Sequence, residues 1–96
     1  MIEIDSWITG HHEYKRIWSP VIGQQLICRQ YAGNPVDPSA IGVYLDNTLV
    51  GHVPRDIKDD ILREIRRGFT VTATVTGPRG NTRRRGLEVP ATFSAS

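Results

Sequence analysis

Four polar residues between positions 34 and 55 have side chains that suit the binding of a polar ligand. Asn34 and Asp37 lie in the loop sequence NPVDPS, and His52 and Arg55 lie in the sequence VGHVPR. A carboxylate accepts hydrogen bonds from hydroxyl groups and repels phosphate, whereas arginine offers a planar fork of donors that suits phosphate. Arg55 begins a predicted helix, whose N-terminal N–H groups and dipole would add to an anion-binding site.

Each of these residues also has an ordinary structural explanation. Asn34 and Asp37 can each close an Asx turn in their proline-containing loop. Arg55 can be a surface arginine beside Asp56, and His52 can be a half-buried strand histidine with satisfied hydrogen bonds. The residue types alone leave both readings open.

A second candidate is a basic patch near the C-terminus. Ten of the twelve basic residues are arginine, and four of them are Arg79, Arg83, Arg84 and Arg85. Such a run either contacts phosphate or forms a solvated, charged loop. The net charge of +2 is too small to indicate nucleic-acid binding by itself.

Metal binding and catalysis have weaker support. Three histidines and one cysteine are present, but only His11 and His12 are close in sequence, and neighbours on a strand point to opposite faces. No G-x-S-x-G, H-E-x-x-H or P-loop motif is present. We therefore expect no metal, no cofactor and no catalytic activity, and we interpret Cys28 as a small buried hydrophobe.

The composition is typical of one small domain. The chain has 96 residues, 39% hydrophobic and 23% charged, with a single cysteine that suits a reducing compartment. No apolar run reaches membrane-span length, and the N-terminus MIEIDSW lacks the features of a signal peptide. We expect a nuclear or cytoplasmic monomer whose domain core spans about residues 7–93, cut from a longer protein.

The hydrophobic pattern predicts six strands and one helix. Residues 1–6 are interpreted as a lead-in. Alternation and turn residues predict strands over residues 6–14, 24–31, 40–45, 49–53, 69–77 and 87–93. Pro90 should place the last strand at an edge or a bulge. Ile57, Ile61 and Ile65, spaced by four, predict an amphipathic helix over residues 55–67.

Six short strands in so short a chain favour closure of the sheet, because closure removes exposed edges. The predicted fold class is all-β with one helix, in a small six-stranded, modified OB-like β-barrel. Most large aromatic side chains should pack in its core. Tyr14, Tyr31, Tyr44, Trp7 and Trp18 could alternatively stack on nucleobases if they are exposed beside cations.

Two motifs together resemble the HIRAN domain family. They are NPVDPSAIGV at residues 34–43 and VGHVPR at residues 50–55. The family has an N-P-aromatic-D-P-x-A-[IV]-x-V loop and strand, followed by V-G-[YH]-[IVL]-P-[RK] and a helix. Residues 7–15 resemble its opening strand, and the turn at residues 17–20 is similar to that of an animal-type branch. The resemblance covers nearly the whole chain.

The resemblance implies a DNA-binding role. HIRAN domains are OB-like accessory modules of DNA helicases and repair proteins, and the best-understood member binds the 3′ end of single-stranded DNA. By resemblance, Asp37 would accept a hydrogen bond from the 3′-hydroxyl, and His52 and Arg55 would lie beside the phosphate or base. Asn34 belongs to the same pocket loop, His12 takes the place of a basic first-strand residue, and Tyr14 is the nearest aromatic.

The sequence departs from the family pattern at two positions. Val36 stands where the family has an aromatic residue before the aspartate, and Glu13 lies near another aromatic position. We interpret the chain as a non-catalytic module for single-stranded DNA, recognising 3′-hydroxyl ends in DNA repair or replication-fork processing. A helicase or nuclease domain in cis would be its host. The alternative is a protein-interaction or structural module of a larger host protein.

Overall fold

The computed structural model describes residues 2–14, 16–30, 40–77 and 88–96, without the side chain of His12. These residues form six strands and two helices. The strands are β1 (Glu3–Ile8), β2 (Gln25–Gln30), β3 (Ile41–Leu45), β4 (Thr48–His52), β5 (Val71–Val75) and β6 (Val89–Ala95). The helices are α1 (His11–Tyr14) and α2 (Arg55–Arg66). Among the described residues, no helix is long and apolar enough to cross a membrane.

The strands form one antiparallel sheet in the order β1-β6-β5-β2-β3-β4. The sheet curls until its two outer strands meet at one point. There, Thr9 and His52 form an isolated antiparallel bridge, with both N···O distances at 2.9 Å. The result is a curled half-barrel with one long helix, which confirms the predicted fold class.

Alternation along the strands builds the core. Val71, Ala73 and Val75 of β5 are buried, and so are the alternate residues of β6 from Val89 to Ala95. Helix α2 adds Ile57 and Ile61 from the face that the four-residue spacing predicted, together with Leu62. Trp18 and Cys28 are also buried, as the sequence indicated.

The first strand differs from the prediction. β1 begins at Glu3 within the expected lead-in, and residues 11–14, predicted as strand, form α1 instead. Gly10 has a φ of +79°, which ends the extended chain, and Glu13 N–H donates to its carbonyl at 3.0 Å. The pairing of β1 joins residues such as Glu3 and Ser94. Because these partners are far apart in the sequence, the hydrophobic pattern around Glu3 does not indicate the pairing.

Pro90 lies inside the sheet rather than at an edge, because β6 pairs with both β1 and β5. Its carbonyl accepts a hydrogen bond from Thr76 N–H at 2.9 Å, one residue beyond the end of β5. The proline nitrogen therefore faces the end of the β5 ladder. The missing N–H costs no hydrogen bond within the named strands.

Candidate nucleic-acid interface

His52 is held at the point where the sheet closes. Its backbone forms the bridge to Thr9, and the Thr9 hydroxyl also donates to the His52 carbonyl at 3.1 Å. The preceding residue, Gly51, allows this approach. A Cβ added at Gly51 would clash with Ile8 Cγ2 and would lie 3.0 Å from the Thr9 carbonyl oxygen. The glycine of the VGHVPR motif is therefore needed for strand closure.

The His52 ring lies between Gly10 and Tyr14. The Tyr14 hydroxyl is 3.4 Å from His52 Nε2, and the two ring centroids are 5.9 Å apart at 58°. A Cβ added at Gly10 would lie 3.0 Å from His52 Cδ2. The structure thus brings together Tyr14 and His52, two site residues predicted from the sequence.

Burial lowers the pKa of His52 from its ordinary value of 6.5, and the Glu13 carboxylate partly opposes this shift. The imidazole is therefore mostly neutral near pH 7, with one nitrogen as donor and the other as acceptor. A neutral ring can hydrogen-bond either a base or a phosphate. A bound anion would favour the protonated ring, and the Glu13 carboxylate acts in the same direction.

Arg55 follows His52 closely along the chain. It is the exposed first residue of α2, three positions after His52. Pro54 precedes it as the N-cap residue and makes no side-chain capping bond. The first N–H groups of α2 and the charge of Arg55 are thus found at the start of this helix, where Asp56 follows as the acidic residue of the first turn.

The start of β3 borders the same region. Val53 N–H donates to the Ile41 carbonyl at 3.0 Å, so the chain that enters β3 lies beside the residues that lead into α2. The two halves of the sequence motif are thus joined by a backbone hydrogen bond. Asn34, Val36 and Asp37, which precede β3, lie outside the described residues.

Other predicted site residues are not placed by the structure. Tyr31 and the basic patch of Arg79, Arg83, Arg84 and Arg85 fall outside the described part of the chain. The backbone of His12 lies in α1, but its side chain is not described.

Tyr44 occupies a different environment from the Tyr14–His52 pair. The guanidinium carbon of Arg29 lies 5.4 Å from the centre of the Tyr44 ring, and Arg29 also donates to Asn47 Oδ1 at 3.4 Å. Trp18 is buried as predicted, and its Nε1 donates to Gln24 Oε1 at 2.9 Å.

His11 is a structural residue that the sequence analysis missed. It is fully buried and meets Trp18 edge to face, with ring centroids 5.5 Å apart at 88°. His11, Tyr14 and Trp18 are spaced by three and four residues, which is the spacing of one helical face. That spacing could have indicated α1. In the described ranges, no three His, Cys, Asp or Glu residues cluster as metal ligands would.

A six-stranded antiparallel half-barrel with a helix after its fourth strand is an OB-like fold. A model of the HIRAN domain family matches residues 6–94, and the chain belongs to this family.

Two solved structures are similar to the chain. The HIRAN domain of human HLTF matches with a TM-score of 0.75 and 15% identity, over 97% of this chain and 74% of that one. A protein from Lactobacillus plantarum matches with a TM-score of 0.63 and 13% identity, over 95% of both chains. At these identities the two structures support the fold alone. No curated protein sequence matches the chain.

Membership in the family supports a nucleic-acid-binding role, because HIRAN domains are known as DNA-binding modules. They are binding rather than catalytic modules.

Proposed function

We propose that this chain is a non-catalytic module that binds single-stranded DNA at a 3′-hydroxyl end, in DNA repair or replication-fork processing. The observation that carries the proposal is the approach of the Tyr14 hydroxyl to His52 Nε2 at 3.4 Å, three residues before α2 begins at Arg55. An aromatic ring, an imidazole and a cation are the groups that hold a terminal nucleotide.

Asp37 would recognise the end itself. Its carboxylate would accept a hydrogen bond from the 3′-hydroxyl and would repel a phosphate at the same place, thereby rejecting a continuing strand. Asn34 and Val36 share its loop, and Val36 would offer an aliphatic contact where other family members have a ring. The hydrogen bond from Val53 to Ile41 supports this arrangement, since it holds the exit of the loop beside His52.

Basic residues and the N-terminus of α2 would bind the phosphate groups. Arg55 and the α2 N–H groups would hold the terminal phosphate, with His12 and His52 on its other side. Tyr14 would contact the terminal base. Arg79, Arg83, Arg84 and Arg85 would form a second basic patch that retains the rest of the strand.

Fluorescence anisotropy with labelled oligonucleotides tests the end recognition. We expect a 3′-hydroxyl strand to bind about tenfold or more tightly than the same strand with a 3′-phosphate, because the phosphate removes one charge-assisted hydrogen bond and adds a repulsion. Equal affinities would contradict end recognition. Absence of binding even at low salt would contradict nucleic-acid binding altogether.

Asp37→Asn should remove most of this preference, since a neutral amide neither repels phosphate nor accepts as strongly. Asp46→Asn is the matched control. Asp46 is exposed in the turn between β3 and β4 and has a φ of +56°, which asparagine tolerates. The control should keep the full preference for the 3′-hydroxyl end, so that a reduced preference in both variants would point to a general charge effect.

A second candidate function, a protein-interaction module, is favoured by one observation. Ile17, Val21 and Ile22 are large apolar side chains with exposed fractions of 59%, 62% and 65% in the segment between α1 and β2. A pull-down with the host's helicase or nuclease domain discriminates between the two functions. Loss of capture in Ile17→Ser/Val21→Ser/Ile22→Ser, with capture retained in Asp37→Ala, would favour the interaction module.

A further inference from the structure

Arg29 of β2 lies in the same row of the sheet as His52. Arg29 is directly opposite Gly42 in the β2–β3 pair, and Gly42 is directly opposite His52 in the β3–β4 pair. Opposite residues of antiparallel strands project to the same face, so Arg29 and His52 share one face, two strand spacings or about 10 Å apart. Cys28 and Val43, the adjacent residues of β2 and β3, are buried, so this face is the outer one.

The exposed Arg29 guanidinium is oriented by two neighbouring side chains. Its central carbon lies 5.4 Å from the centre of the Tyr44 ring, and its Nη1 donates to Asn47 Oδ1 at 3.4 Å. This hydrogen bond uses one of the five N–H donors of a guanidinium. The contacts therefore hold the cation in place on the sheet and leave further donors for a ligand.

Apolar atoms occupy the space above Gly42, between Arg29 and His52. A Cβ added at Gly42 would lie 2.6 Å from Leu49 Cδ1 and 2.9 Å from Tyr44 Cε2. The Tyr44 ring and the Leu49 side chain therefore cover this position of the sheet. Cations that flank an aromatic and apolar surface are typical of grooves that bind single-stranded nucleic acid.

We propose that Arg29 binds the phosphate of a nucleotide that precedes the 3′-terminal one, with Tyr44 as the residue that positions its guanidinium. The inference rests on the proposed function, in which His52 lies beside the terminal phosphate. A planar fork of donors suits phosphate, and the shared row places Arg29 where the strand would continue from the terminal nucleotide. Gln30 and Ile41, which lie on either side of the loop proposed to recognise the end, pair with each other next to this row.

The first test separates this contact from recognition of the end. Arg29→Gln should weaken binding of a 3′-hydroxyl strand and of a 3′-phosphate strand by the same factor, about fivefold, because the contact is remote from the end. The ratio of the two affinities, measured by fluorescence anisotropy, should therefore stay unchanged. Arg66→Gln is the matched control. It removes the same charge from an exposed position in the last turn of α2 and should bind as the natural chain does.

The second test identifies the phosphate that Arg29 contacts. Each linkage near the 3′ end is replaced in turn by a neutral methylphosphonate, and the affinities of the natural chain and of Arg29→Gln are compared. At one linkage before the terminal nucleotide, the replacement should weaken binding to the natural chain about fivefold without weakening binding to Arg29→Gln. At the other linkages the two proteins should respond equally.

The third test examines Tyr44 as a positioning residue. Tyr44→Leu should weaken binding about threefold in the natural chain and should have no effect when Arg29 is already changed to Gln, because Tyr44 acts through the guanidinium. Tyr44→Phe keeps the ring and should bind as the natural chain does. A purely structural role would lower the melting temperature of Tyr44→Leu and leave its affinity for DNA unchanged.

Three outcomes would overturn this inference while leaving the proposed function intact. Arg29→Gln binds as the natural chain does, Arg66→Gln weakens binding as much as Arg29→Gln, or no methylphosphonate position depends on Arg29. Conversely, equal affinity of the natural chain for both kinds of end, with one linkage still dependent on Arg29, would contradict end recognition alone. Absence of binding to any strand at low salt would overturn both.

Discussion

At the scale of single residues, His52 has both a structural and a proposed binding role. Its backbone closes the sheet through Thr9, while its ring contacts Tyr14 and faces Gly10. The fold and the proposed ligand favour different protonation states of the imidazole. Burial favours the neutral ring, whereas a bound phosphate would favour the protonated ring.

The protein should lose stability as the pH falls through the His52 titration. Because the pKa of His52 is lower in the folded state than its ordinary value of 6.5, the unfolded chain binds more protons in the window just below 6.5. The free energy of unfolding therefore decreases from pH 7.5 downwards until the lowered pKa is passed. Urea denaturation at several pH values measures this dependence.

His52→Gln is the variant that isolates this effect, since it removes the His52 imidazole and leaves the other ionisable groups of the chain in place. It should show a flatter dependence of the free energy of unfolding on pH between 5 and 7.5. An unchanged slope would contradict the assignment to His52. With oligonucleotide present, the natural chain should bind more tightly at lower pH if His52 contacts phosphate.

Cys28 illustrates how packing controls the reactivity of a single residue. It is buried in β2, and burial raises its pKa to about 12, so the thiol stays protonated and out of reach. Iodoacetamide should leave the native chain unmodified at pH 8 and should modify it fully in denaturant. Mass spectrometry measures the difference. Rapid labelling of the native chain would indicate that the β2 region opens readily.

At the scale of elements, the closure between β1 and β4 determines the shape of the site. The Thr9–His52 bridge joins residues 43 positions apart in sequence and aligns the end of β1 with the entry to α2. The helix α1 packs against β4 from the same side. The positions of Tyr14, His52 and Arg55 all depend on this single junction.

Gly51→Ala should destabilise the protein by about 1–3 kcal/mol, because a Cβ there clashes with the fully buried Ile8 and presses on the Thr9 carbonyl. It should also weaken DNA binding, since it opens the junction that positions His52. Thermal denaturation measures the first effect and anisotropy the second.

Gly77→Ala is the matched control for this change. A Cβ at Gly77 meets Pro90 Cγ at 3.5 Å, which is ordinary contact, and Gly77 is not among the glycines with positive φ. The control should have nearly the melting temperature of the natural chain. Equal stability of the Gly51 and Gly77 variants would contradict the steric role of Gly51.

At the scale of the whole molecule, the distribution of charge bears more on ligand binding than the net charge of +2 does. The cations proposed for DNA binding lie near the start of α2, in β2 and in the arginine-rich sequence before β6. A small net charge is therefore compatible with a local cationic surface that binds phosphate.

Affinity for single-stranded DNA should fall steeply with salt, and the arginine-rich segment should contribute to the slope. Changing Arg83, Arg84 and Arg85 to Gln should reduce the slope of log K against log salt concentration by about 0.7 for each phosphate that the variant no longer neutralises. Changing Arg63, Arg66 and Arg67 of the α2 C-terminal region to Gln removes the same charge, yet should alter the slope far less. Similar slopes for both triple variants would indicate a general charge effect instead.

Much of the local structure could be predicted from the sequence. The alternation around Val71 to Val75 and the four-residue spacing of Ile57 and Ile61 each identify an element from its own residues. Both features are local because each depends on side chains that follow one another along the chain. The family resemblance named Tyr14, His52 and Arg55 as site residues, but Tyr14 and His52 are 38 positions apart, and their contact is seen only in the folded chain.

Only the tertiary structure decided how these elements meet. The pairing of β1 with β6, the bridge between Thr9 and His52, and the contact between Tyr14 and His52 all depend on partners that are distant in the sequence. A sequence encodes the periodicity of each segment, but the contacts between segments exist only once the chain has packed.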